Sequence, residues 1–129
     1  MKDEPAQKVI VLADDDLFIE HAYKTGLEEA GFVVVVAPDG EEALTQVRTL
    51  KPSLVLMELI LPKLDGFSVI TELKSDPATA DVPILVLTNL SQQSDMDEAR
   101  RLGAVDCLTK SEVALHDVLV RIEQVLAAK

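Results

Sequence analysis

Five short apolar runs, each separated from the next by a longer amphipathic stretch, constrain this chain more than any other feature of its sequence. Val9-Ile10-Val11-Leu12-Ala13, Phe32-Val33-Val34-Val35-Val36, Leu54-Val55-Leu56-Met57, Ile84-Leu85-Val86-Leu87 and Val105-Asp106-Cys107-Leu108 have the length and composition of strands. Four of them are almost continuously apolar, as parallel strands covered on both faces are, whereas a strand with one wet face alternates. The intervals between them are long enough for crossover helices of roughly 10–15 residues. Strict alternation of five strands with five helices predicts an α/β fold with an open, doubly wound parallel sheet, and right-handed crossovers leave few topologies for it.

The expected arrangement is a flavodoxin-like (βα)5 unit with strand order 2-1-3-4-5. The helical stripes support it. Leu115, Val118, Leu119, Ile122, Val125 and Leu126 recur at helical spacing, with Ser111 and Glu112 as the expected start of that last helix. Ile19, Ala22, Tyr23, Leu27 and Ala30 form a stripe on the first helix, and Phe67, Ile70 and Leu73 a narrower one on the third. Asp39 and Ser94 each stand three residues before an acid, which predicts the starts of helices two and four. Helix four is the least apolar. Gly26, inside helix one, predicts a point of close packing.

Composition limits the function. The 129 residues are 48% hydrophobic and 27% charged, as in a soluble domain, and the length suits one folded unit: residues 1–7 as a flexible tail and residues 8–129 as the domain. Any output domain is then expected on another molecule. Twenty-three acids against twelve bases give a net charge of −11, from which no direct contact with nucleic acid or an anionic membrane is expected. The lone Cys107 and the absence of an apolar leader or a spanning run suggest a reducing, cytoplasmic setting. Cys107 reads as a small buried hydrophobe, and His21 and His116 as isolated surface residues.

In sheets of this kind ligands bind beyond the carboxyl ends of the strands, where the order reverses. Asp14-Asp15-Asp16, Glu58, Thr88 and Thr109-Lys110 stand at those ends. Clustered carboxylates at Asp14, Asp15 and Glu58 require a cation or a proton, and oxygen ligands alone favour a hard ion such as Mg2+. Lys110 and Thr88 supply a compact charge and a hydroxyl donor suited to phosphoryl oxygens. The set predicts a phosphoryl-transfer site. Asp16 by itself reads better as the cap of helix one.

Three segments carry a resemblance: Val9 through Asp16, Glu58-Leu59-Ile60-Leu61-Pro62-Lys63-Leu64-Asp65-Gly66, and Thr88 together with Gly103 through Lys110. Together, from about Lys8 to Leu126, they resemble the receiver domains of two-component response regulators. The resemblance implies that Asp14 and Asp15 bind the metal with the backbone carbonyl of Ile60 and residue 58. It makes Thr88 the switch hydroxyl, Lys110 the charge that meets the phosphate, and Glu58 the residue at the phospho-acceptor position. It also implies a sensor histidine kinase or phosphotransfer protein as donor and a downstream protein on the surface of helix four, strand five and helix five. Met96, Arg100, Cys107 and Val118 fall on or near that surface, and a homodimer is a further expectation.

Three residues depart from the family. Glu58 stands where the acceptor is an aspartate, which implies either a phosphate-mimicking, phosphorylation-incompetent receiver with weakened Mg2+ binding or a pseudo-receiver acting as a constitutive protein-binding module. In neither case is the chain expected to be an enzyme. Cys107 replaces an aromatic residue. Ser111 replaces a proline, so the Lys110-Ser111 peptide is expected to be trans.

Overall fold

The computed structural model describes residues 7–90 and 92–128. Except for Gln7, the expected tail lies outside them. The elements alternate as β1 (Val9–Ala13), α1 (Leu17–Glu29), β2 (Val33–Ala37), α2 (Gly40–Leu50), β3 (Leu54–Met57), α3 (Gly66–Ser75), β4 (Ile84–Thr88), α4 (Gln93–Leu102), β5 (Asp106–Thr109) and α5 (Leu115–Ala127). All strand pairs are parallel, in the order β2-β1-β3-β4-β5. No helix among the described residues is long and apolar enough to cross a membrane.

The continuous apolar runs are explained by two cores. Val11, Ala13, Val55, Met57 and Val86 face α2, α3 and α4, while Ile10, Leu12, Leu54, Leu56, Leu85 and Leu87 face α1 and α5. Successive residues of a strand therefore enter opposite cores, and neither face has room for a polar side chain.

The helix starts are a mixed result. Asp16 and Asp39 cap α1 and α2: Asp16 Oδ1 accepts from the amides of Phe18 (3.0 Å) and Ile19 (3.3 Å), and Asp39 Oδ1 from Glu42 (2.8 Å). Ser94 caps nothing, because α4 begins at Gln93 without a side-chain cap. Ser111 and Glu112 belong to a 3-10 turn over Lys110–Glu112, and α5 starts four residues after Ser111, with Ala114 at its N-cap and Asp117 bonded back to the Ala114 amide at 2.9 Å. Nor are the stripes all buried. Tyr23 and Leu27 are inside, but Ala22 and Ala30 are exposed, and in α3 it is Val69 rather than Phe67 that is fully covered.

Gly26 is buried where α1 meets α5, and a Cβ there would come within 2.5 Å of Leu115 Cδ2. That atom is the end of a flexible side chain. Gly26→Ala therefore sets a helix-propensity gain of about 1 kcal/mol against displacement of Leu115, and its effect on urea unfolding is expected to stay within about 1 kcal/mol of zero.

On the α4, β5 and α5 side, Asp106 accepts from Arg100 Nη2 (3.3 Å) and Arg121 Nε (2.9 Å), tying both helices to the strand. Cys107 and Val118 are 3% and 0% exposed, so neither can contribute to a docking surface as the sequence suggested. Burial pushes the Cys107 thiol up to about 11. At pH 8 roughly one thiol in a thousand is then ionised, and a thiol-specific disulfide reagent is expected to label the native chain far more slowly than the urea-unfolded one. Equal rates would refute the burial argument.

Candidate functional site

Register brings the polar strand ends together. Ala13 pairs with Met57 across β1 and β3, so Asp14 and Glu58 emerge side by side, and the Glu58 amide donates to Ala13 O at 2.9 Å. Thr88 pairs with Thr109 across β4 and β5, so Lys110 follows one step beyond. Asp14, Glu58 and Thr88 are buried at 2%, 6% and 0% exposure, deep enough for every polar atom to need a partner.

Lys110 supplies two of those partners. Its Nζ lies 2.7 Å from Asp14 Oδ2 and 2.8 Å from Glu58 Oε1. Burial alone would lower the lysine pKa, but the hydrogen bonds and charges of Asp14 and Glu58 outweigh it and hold the ammonium above the ordinary lysine range. A cation raised in this way contributes its full stabilisation below the unfolded lysine value and loses it only as pH rises through the folded one. The Lys110 contribution is therefore expected to be flat from neutral pH to about 10 and to fall above it, which urea unfolding of the parent and a Lys110→Met chain would resolve.

The second oxygen of Glu58 is held from the other side. Oε2 accepts the amides of Leu59 (2.7 Å) and Ile60 (3.1 Å) and the hydroxyl of Thr88. The Thr88 Oγ1 in turn accepts the Leu90 amide at 3.2 Å, so the carboxylate is linked through one hydroxyl to the backbone that leads into α4. Both Glu58 oxygens are engaged, by four donors in all, and no buried side-chain nitrogen or oxygen among the described residues lacks a partner.

The acidic triplet divides its tasks. Asp14 Oδ1 accepts the Asp16 amide at 2.9 Å and turns the chain, Asp16 caps α1, and Asp15 stands exposed with no partner among the described residues. Asp14, Glu58, Thr88 and Lys110 are thus in one contact network, and Asp15 lies outside it at the rim. No group of three acids close enough to share a metal ion occurs among the described residues. The donors fit a Mg2+ ion only in part. Asp15 and the Ile60 carbonyl are unengaged, whereas Asp14 has one donor on each oxygen, the Asp16 amide and Lys110, and Glu58 is held by Lys110, Thr88 and two amides. The Lys110-Ser111 peptide is trans, as expected, and opens the 3-10 turn over Lys110–Glu112. The sequence reading missed the Leu59 and Ile60 amides, since backbone donors leave no trace in residue type.

A model of the response regulator receiver domain matches residues 10–123. The chain belongs to this family. As a receiver it is a component of two-component signalling. It is 38% identical over 117 residues to the DNA-binding dual master transcriptional regulator RpaA of Synechocystis, covering 91% of this chain and 48% of that one. The receiver domain of the Francisella response regulator 1452 superposes with a TM-score of 0.87 at 28% identity, over 95% of this receiver and 98% of that chain. The receiver domain of a Pseudomonas aeruginosa sensor histidine kinase, described with a magnesium ion coordinated in its active-site cleft, superposes at 0.86 over 95% and 99%. At 24% identity it supports the fold alone.

RpaA corrects one expectation. A net charge of −11 predicts no contact with nucleic acid, yet this relative is named as DNA-binding. The receiver spans about half the length of the curated relatives it matches. A charge sum over that half says nothing about the rest, and the exclusion does not hold.

Proposed function

We propose that this receiver works without phosphorylation, with the Glu58 carboxylate occupying the place and taking the contacts of a phosphoryl group on a shorter acceptor. The observation that supports this is the saturation of Glu58 by Lys110, Thr88 and two amides, donors of the kind that phosphoryl oxygens require. The extra methylene of glutamate moves its oxygens roughly 1.5 Å outward, into the space a phosphoryl group needs. One negative charge replaces the −1.5 to −2 of a typical protein phosphate, so the mimicry is partial. Thr88 already points at the anion and holds the Leu90 amide, the arrangement that transmits the state of residue 58 toward α4. Transcriptional control through DNA, as the name of RpaA describes, is the output that fits such a receiver.

Backbone NMR tests the reading. The parent should overlay, at Leu59, Ile60, Thr88 and Leu90, on a Glu58→Asp chain loaded with beryllofluoride and magnesium. Overlay on the unloaded Glu58→Asp chain would refute it.

In this reading Asp14, Asp15 and the Ile60 carbonyl would hold Mg2+, whose chemistry is to neutralise charge on a transferring phosphoryl group. With Glu58 withdrawn, the parent is expected to bind Mg2+ about tenfold more weakly than Glu58→Asp, or ~1.4 kcal/mol, by calorimetric titration. Equal affinities would show that the glutamate still shares the ion.

A further inference from the structure

The loop between β3 and α3 carries the two amides that hold Glu58, and much of its anchorage comes from α2. Pro62 O accepts two amides, those of Gly40 (3.1 Å) and Leu64 (2.7 Å). The second closes a three-residue turn about Lys63, whose φ of 68° lies in the left-handed region. A residue with a side chain persists there only where its surroundings over-determine it. Two neighbours from the start of α2 do so. Lys63 Nζ reaches Asp39 Oδ2 at 3.5 Å, and the Leu64 carbonyl fills the space that a Cβ on Gly40 would need. The same Asp39 caps α2 through Glu42, so one carboxylate ties the helix end and the turn together. Chiefly the Glu42 amide, and with it Lys63, hold the Asp39 carboxyl below its usual range, and it stays charged at neutral pH.

We propose that Asp39 and Gly40 are positioning residues for position 58, the start of α2 bracing the loop so that the Leu59 and Ile60 amides converge on one carboxylate oxygen. Neither touches Glu58. They act through Pro62, two residues beyond Ile60, with Gly66 closing the far side by donating to Leu59 O at 2.8 Å. The proposal rests on the reading of Glu58 as a held anion, and it adds α2 as an element whose displacement loosens that anion.

Amide hydrogen exchange in the full chain tests the brace. Asp39→Asn keeps an oxygen for the Glu42 amide while removing the charge opposite Lys63, Lys63→Met removes the other partner, and Gly40→Ala forces the loop outward. In the two charge variants the Leu59 and Ile60 amides should exchange about two- to fivefold faster than in the parent, with β1, β4 and Glu42 unchanged, and Gly40→Ala should show a larger effect if it folds. Unchanged exchange at Leu59 and Ile60 in both charge variants would overturn the proposal. So would an acceleration shared equally by β1 and β4, since that reports global destabilisation. Glu58→Ala separates the two readings: if the Leu59 and Ile60 amide shifts do not move in it, the held-anion reading fails whatever the brace variants do.

Discussion

Given acetyl phosphate and magnesium, the Glu58→Asp chain is expected to gain a phosphoryl group at residue 58 and the parent none, as read by intact mass. The difference follows from where the oxygens lie and what holds them. An attacking carboxylate oxygen needs a free lone pair and an open approach to phosphorus, and each Glu58 oxygen is already bonded, one to Lys110 and the other to Thr88 and two amides. Shortening the side chain by one carbon withdraws the carboxylate and frees those donors for the phosphoryl oxygens. A misplacement of even 1 Å costs a reaction on the order of 10²-fold, and the glutamate is out of place by more than that. If the parent takes up phosphate at Glu58 as fast as the variant does at Asp, the mimic reading fails.

Replacing Lys110 with methionine should cost about 3–5 kcal/mol of unfolding free energy, the loss typical when one member of a buried ion pair is removed. Asp14 and Glu58 would remain, nearly inaccessible to water, without the charge between them. That is a large share of the roughly 5–15 kcal/mol that holds an ordinary domain together. Adding Glu58→Gln should recover part of the loss, because a neutral amide leaves only Asp14 uncompensated. Magnesium should stabilise the Lys110→Met chain more than the parent, since it offers the replacement cation. Urea denaturation with and without the ion measures all three, and a loss below about 1 kcal/mol in the single variant would mean that solvent reaches the acids after all.

The fold was legible because its signal is redundant. Four of the five strands are nearly uniform in apolar residues, so a one-residue shift such as that of β2, expected over Phe32–Val36 and found at Val33–Ala37, changes no assignment. Helix starts carry one residue's worth of signal each. Asp39 was readable because its carboxylate reaches its own helix, while Ser94 failed because Gln92 precedes it with the N-cap geometry and no side-chain bond. At the site, Asp14, Glu58, Thr88 and Lys110 were placed together by strand order alone. Asp16 was readable as the cap of α1, but the split between a buried Asp14 and an exposed Asp15 was not, because adjacent residues in a turn point in directions that no periodicity records. A cation among the acids and a direct Glu58–Lys110 pair are both expected from the side-chain lengths and charges, and Lys110 is that cation for Asp14 and Glu58, while Asp15 stands exposed outside the pair.

Because every donor around residue 58 is satisfied by glutamate, the exchange of aspartate for glutamate there leaves no buried orphan for the fold to register. Aspartate and glutamate codons differ only in their third base. If Glu58 stands in for the phosphoryl group as proposed, one nucleotide separates a receiver that waits for its kinase from one that does not, and protein quality control, which responds to unfolding, has nothing to detect. In a genome such a lineage would pass from switch to constant by drift or selection in a single step, and could return as easily, its network rewired with the scaffold untouched.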